Sequence, residues 1–70
     1  MLKDFRKQAG LSQNGLAVAA GLSQATISDI ENGTETSAAK AIKIVNALRA
    51  HGVDCSVEQL FGTDNENRAA

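Results

Sequence analysis

Few side chains in this sequence are suited to covalent or metal chemistry. His51 and Cys55 are the only histidine and the only cysteine, whereas a metal site needs three or four ligands, commonly supplied by a C-x-x-C pair or further histidines. There is no nucleophile beside a base, no pair of carboxylates in a plausible cleft and no glycine loop to cradle a phosphate. The expectation is therefore a protein that is not an enzyme and carries no cofactor and no metal. Hydrogen bonding by neutral side chains is what remains. Gln13 and Gln24 open two apolar-periodic stretches, and Ser23, Thr26, Ser28, Asn32 and Thr34 surround the second of them. A carboxamide offers a donor and an acceptor side by side, the group suited to bidentate recognition of another planar partner.

Glycines and serines mark the elements that must position these groups. Leu2, Phe5 and Ala9 recur at helical spacing and stop before Gly10, which predicts a first helix over 2–9. Ser12 suits an N-cap, and the stripe Leu16, Ala17, Ala20 ends at Gly21, so a second helix is predicted over 13–20. Ser23 is the next N-cap candidate; Ile27 and Ile30 follow before Asn32-Gly33, giving a third helix over 24–32. Ala38, Ala41, Ile44, Val45 and Leu48 trace one face of a fourth helix over 37–51, which ends at His51-Gly52. His51 then lies at the helix C-terminus, beside the negative end of the dipole. Ser56 with Gln59 forms a capping-box pattern ahead of Val57, Leu60 and Phe61, a short fifth helix closed by Gly62. No stretch alternates with period two. The fold class is all-α, with one domain over 1–62 and a polar, disordered tail over 63–70.

At 70 residues a chain buries only about 60% of its unfolded surface, enough for one modest core and no second domain. The unpaired Cys55, the lack of an apolar stretch near the N-terminus and the absence of any run near ~20 apolar residues point to a cytoplasmic protein with no membrane partner.

The segment from Leu11-Ser12-Gln13 to Asn32-Gly33 is the most informative. Four residues, Ala20-Gly21-Leu22-Ser23, join two short helices; with Gly21 at positive φ and Leu22 turned inward, the helices cross steeply as a helix-turn-helix. Ala17 lies where they touch. Together with Leu16-Ala17, Ile27-Ser28, Ile30-Glu31-Asn32-Gly33, the helix ending at Leu48 and the Leu60-Phe61 pair, this segment resembles the phage-repressor and Cro class of helix-turn-helix proteins, also called the xenobiotic-response-element type. The likeness covers about residues 2–61.

The resemblance implies a compact five-helix, lambda-repressor-like domain that binds double-stranded operator DNA as a homodimer and regulates transcription. Its residue roles, carried over position by position, place Gln24, Ala25, Ser28 and Asp29 against base edges: the Gln24 amide on an adenine, Ala25 on a thymine methyl, Ser28 as a hydroxyl donor and Asp29 accepting from a cytosine amino group. Gln13, Ser23, Thr26, Asn32, Thr34 and Lys40 fall at phosphate-contacting positions, and Gln13 also at the place where it hydrogen-bonds the recognition-helix glutamine. Glu31 matches a structural glutamate, for which Arg6 is the expected partner.

Three features depart from the family pattern. No Lys or Arg occurs between Lys7 and Lys40, while Asp29, Glu31 and Glu35 do, and the formal net charge is −1. Phosphate binding would then rest on amides, hydroxyls, helix N-termini and the flanking Lys3, Lys7, Lys40 and Lys43. Gly15 interrupts helix two at about 0.5–1 kcal/mol relative to alanine. The spacing from Leu48 to Leu60 is long, which leaves Ile42, Val53, Val57 and Phe61 as candidates either for a dimer interface or for the core. The leading expectation is a repressor; the alternative is an antitoxin-type or other module of this fold whose main partner is a protein such as a toxin.

Overall fold

A computed structural model describes residues 2–61. The expectations for Gly62 and for the tail 63–70 lie outside the described residues. Among the described residues five α-helices follow in order: α1 (Leu2–Gln8), α2 (Gln13–Ala20), α3 (Gln24–Glu31), α4 (Ala38–Ala50) and α5 (Val57–Phe61). Among the described residues no helix is long and apolar enough to cross a membrane.

Helices of five to thirteen residues do not persist alone in water, so caps and core packing must hold them. Ser12, Ser23 and Ser37 each adopt extended backbone and accept a hydrogen bond from the N–H three residues on, at Gly15, Thr26 and Lys40. Ser56 and Gln59 close a reciprocal capping box: the Gln59 N–H donates to Ser56 Oγ at 3.2 Å and the Ser56 N–H to Gln59 Oε1 at 2.9 Å. The predicted boundaries move by a residue for the same reason. Ser37 and His51 lie just outside α4, and Asn32 just outside α3, because each serves as a cap.

The C-terminal ends of α1 to α4 share one device. Leu22 donates its N–H to the Ala17 carbonyl at 2.8 Å while Gly21 bonds Val18 at 3.2 Å, and the pattern repeats at Leu11 onto Arg6, Thr34 onto Asp29 and Val53 onto Leu48. These six-residue closures satisfy the last helical carbonyls and turn the chain back. They require the residue before the closing one to be left-handed, and Gly21 has φ +72°.

Leu16, Ile27, Ile44, Leu48 and Cys55 are fully buried at the centre. Ala17 and Ala20 lie in the same core, where α2 packs against both α3 and α4; their small side chains allow the close approach. Val53 is a correction to the dimer candidates. It is only 6% exposed and belongs to the core, because the closure onto Leu48 swings it inward rather than leaving it on the long loop. Val57 and Phe61 are half-buried against the core, and Ile42 stands 51% exposed.

Gly21 tests the turn directly. A Cβ built there meets nothing within 4 Å, so Gly21→Ala introduces left-handed backbone strain alone. A loss of about 1–2 kcal/mol in urea unfolding is expected, with an unchanged slope on denaturant.

Candidate nucleic-acid interface

The site begins with one ion pair. Arg6 on α1 and Glu31 at the end of α3 have side chains 11% and 6% exposed. Arg6 Nε donates to Glu31 Oε2 at 2.5 Å, Nη2 to Oε1 at 3.3 Å, and Nη1 to the Leu11 carbonyl at 2.9 Å. All three guanidinium nitrogens are thus engaged. Such a fork satisfies the charge-assisted donors of a residue that would otherwise be costly to bury.

Glu31 has a further donor. Gln13, the first residue of α2, gives Nε2–H to Glu31 Oε1 at 3.1 Å, and its Oε1 accepts from Gln24 Nε2 at 3.4 Å. Gln24 and Glu31 are seven residues apart on one helix, two turns or about 10.5 Å along the same face. The Gln13 side chain bridges that span. The chain of donors therefore runs from the buried charge to the exposed Gln24 at the head of α3. The Arg6–Glu31 partnership and the Gln13–Gln24 contact expected from the sequence are both present; the Gln13–Glu31 bond that joins them was not foreseen.

Around this line the remaining candidate side chains divide by accessibility. Gln24, Ala25 and Asp29 are exposed and Ser28 half-buried along α3, Ser23, Asn32 and Thr34 are exposed around its two ends, and Lys40 is exposed in the first turn of α4. Thr26 is half-buried; its Oγ1 lies 2.9 Å from Ser23 Oγ, which also accepts the Thr26 N–H at 3.1 Å. Those two hydroxyls serve the cap first. Beyond the candidates, Val18 is 73% exposed on α2. Its position off the Leu16, Ala17, Ala20 stripe was the signal in the sequence. Cys55 is buried in the core, and burial pushes its thiol up, with Arg49 opposing and Asp54 reinforcing; its weight is structural. Arg49 Nε donates to the Cys55 carbonyl at 2.9 Å and pins the loop before α5.

Two short helices joined by the Gly21 turn, with the second laying a row of polar side chains open to solvent, define a helix-turn-helix DNA-binding protein. The model of the Helix-turn-helix family, of the Cro and C1 type, matches residues 2–52, and the chain belongs to that family. It is accordingly a DNA-binding transcription regulator with a lambda-repressor-like fold, in a family of regulators rather than enzymes. Comparison with curated proteins and with solved structures gives no match.

Burial raises the Glu31 carboxyl, but the hydrogen bonds from Arg6 and Gln13 and the positive charges of Arg6 and Lys3 outweigh it and hold the group below its ordinary 4.5. A carboxylate lowered on folding contributes stability in full above its unfolded value, and that contribution is lost as pH falls through the folded value. Stability should therefore drop as the pH is taken below about 4.5, and Glu31→Gln should flatten that acid limb in pH-dependent denaturation. Arg6→Ala leaves the carboxylate buried without its partner, and a loss of about 3 kcal/mol is expected, a large fraction of the stability of so small a domain.

Proposed function

We propose that the protein is a repressor that binds a two-half-site operator as a homodimer, with α3 in the major groove. Gln24 meets an adenine, Ala25 a thymine methyl, and Ser28 and Asp29 flank them; Gln13, Ser23, Thr26, Asn32, Thr34 and Lys40 face the phosphates. The observation that carries this reading is the exposed Gln24 amide at the head of α3, held by Gln13 beside it. An amide so placed matches the paired donor and acceptor of adenine in the major groove, and the groove admits the N-terminal end of a recognition helix.

The charge balance supports a particular mode of binding. Lys40 is the only cation among the assigned phosphate contacts. The rest are amides, hydroxyls and the N–H groups at the starts of α2 and α3, which attract phosphate without releasing counterions in the way a neutralising cation does. Doubling the contacts on two half-sites, roughly 34 Å apart, compensates for weak binding by one protomer. Ile42 is the exposed apolar residue among the interface candidates.

A sequence-selection experiment on random duplexes tests the reading: a defined operator should emerge, and Gln24→Ala should weaken it by about 1–3 kcal/mol while relaxing one base position. Absence of any preferred duplex at low salt would sink it. With one cationic phosphate contact per protomer, log K against log salt should have a slope of about −2 for the dimer, far shallower than that of a reader with six to ten such contacts. Ile42→Asp should shift sedimentation from dimer to monomer and weaken operator binding, with the unfolding midpoint unchanged at concentrations where both chains are monomeric; if a partner protein rather than a second copy covers this residue, the wild-type chain sediments as a monomer at operator-binding concentrations.

A further inference from the structure

From the chain of donors that ends at Gln24, we infer that Glu31, which touches no base, sets the polarity of the base-reading amide and so determines that adenine is preferred over guanine. The inference deepens the proposed function and rests on Gln24 as the base reader.

The argument is one of donors and acceptors. An ionised carboxylate accepts only, and both Glu31 oxygens face donors from Arg6. Gln13 must therefore turn its NH2 toward Glu31, as it does at 3.1 Å. Its carbonyl oxygen is then the atom left facing Gln24, and Gln24 must answer with its own NH2, at 3.4 Å. The reverse orientation of either amide would set oxygen against oxygen or donor against donor. With one N–H committed to Gln13, Gln24 has one N–H and its carbonyl oxygen left. That pair complements the N7 acceptor and N6 donor of adenine, whereas guanine presents two acceptors, O6 and N7. Were Gln13 free to turn its NH2 outward, Gln24 could meet it with oxygen and offer only donors to the groove, an edge that suits guanine. Glu31 forbids this, and Arg6 keeps Glu31 ionised and in place.

Glu31 is thus a positioning residue, and a purely structural role would not move a base ratio. The test takes the full chain and a selected operator in which the base pair opposite Gln24 is varied to all four possibilities, with dissociation constants from fluorescence anisotropy. The wild type should favour adenine over guanine by about tenfold or more, and Gln13→Met and Glu31→Gln should each bring that ratio to within about threefold, guanine gaining relative to adenine. If Glu31→Gln fails to fold, Gln13→Met carries the test, because it leaves the Arg6–Glu31 pair intact. Equal weakening on all four duplexes by Gln13→Met, with the ratio kept, is the result of a phosphate contact only and overturns the inference. Gln24→Ala separates the two levels: if it abolishes the preference while Gln13→Met preserves it, the reader stands and the positioning role falls. If Gln24→Ala leaves the preference intact, both fall.

Discussion

The pairing of Arg6 with Glu31 is the constraint to which the other parts of this small fold answer. Two charges taken almost wholly out of water lose several kcal/mol of hydration each, and their attraction recovers it only when every donor and lone pair finds a partner. Here the fork of Arg6, the Leu11 carbonyl and the Gln13 amide supply those partners. Because they come from α1, the α1–α2 turn, α2 and α3, satisfying one ion pair fixes three helices relative to one another. A hydrophobic contact of similar size would tolerate sliding. A hydrogen-bonded fork does not, which suits a domain with a core too modest to dictate orientation by packing alone.

Local chain stiffness is supplied elsewhere, in α2 and α4 by the pairing of a serine at the start of the helix with a glycine and an inward-turning residue past its end. This arrangement explains why a glycine can be tolerated inside α2. A Cβ at Gly15 would come within 3.2 Å of Ser12 Oγ, the atom that accepts the Gly15 N–H at 2.9 Å. An alanine there would gain helix propensity while pressing on the cap that begins the helix. The penalty of about 0.5–1 kcal/mol expected for a mid-helix glycine is thus offset in part by an undisturbed cap.

Much of this was legible in the sequence because caps are chemical signals. Ser12, Ser23 and the Ser56–Gln59 box name their positions through side-chain hydrogen bonds, Gly21 through its positive φ, and the helices fall within a residue or two of the expected bounds. Arg6 with Glu31, and Gln13 with Gln24, followed from the resemblance. What the sequence could not convey depends on tertiary direction. Val53 reads equally as surface or core until the closure onto Leu48 turns it inward. Gln13 carries nothing in its spacing to say that its amide bonds the side chains of both Gln24 and Glu31.

On the proposed reading, the paucity of cations around α3 sets the terms on which DNA binding must occur. A reader rich in arginine gains affinity from counterion release and can leave its side chains loose. A reader built of amides lacks that source, so each contact must keep what it gains. An unrestrained glutamine gives up about 1.5–2 kcal/mol of rotamer freedom when fixed, comparable with what a bidentate base contact contributes. Holding Gln24 from Gln13, and Gln13 from a buried carboxylate, moves part of that cost to the folding step. If Gln24 reads a base as proposed, the stability of the Arg6–Glu31 pair and the affinity of α3 for DNA are two expressions of one network, and weakening the first without touching the second is possible only at positions outside it.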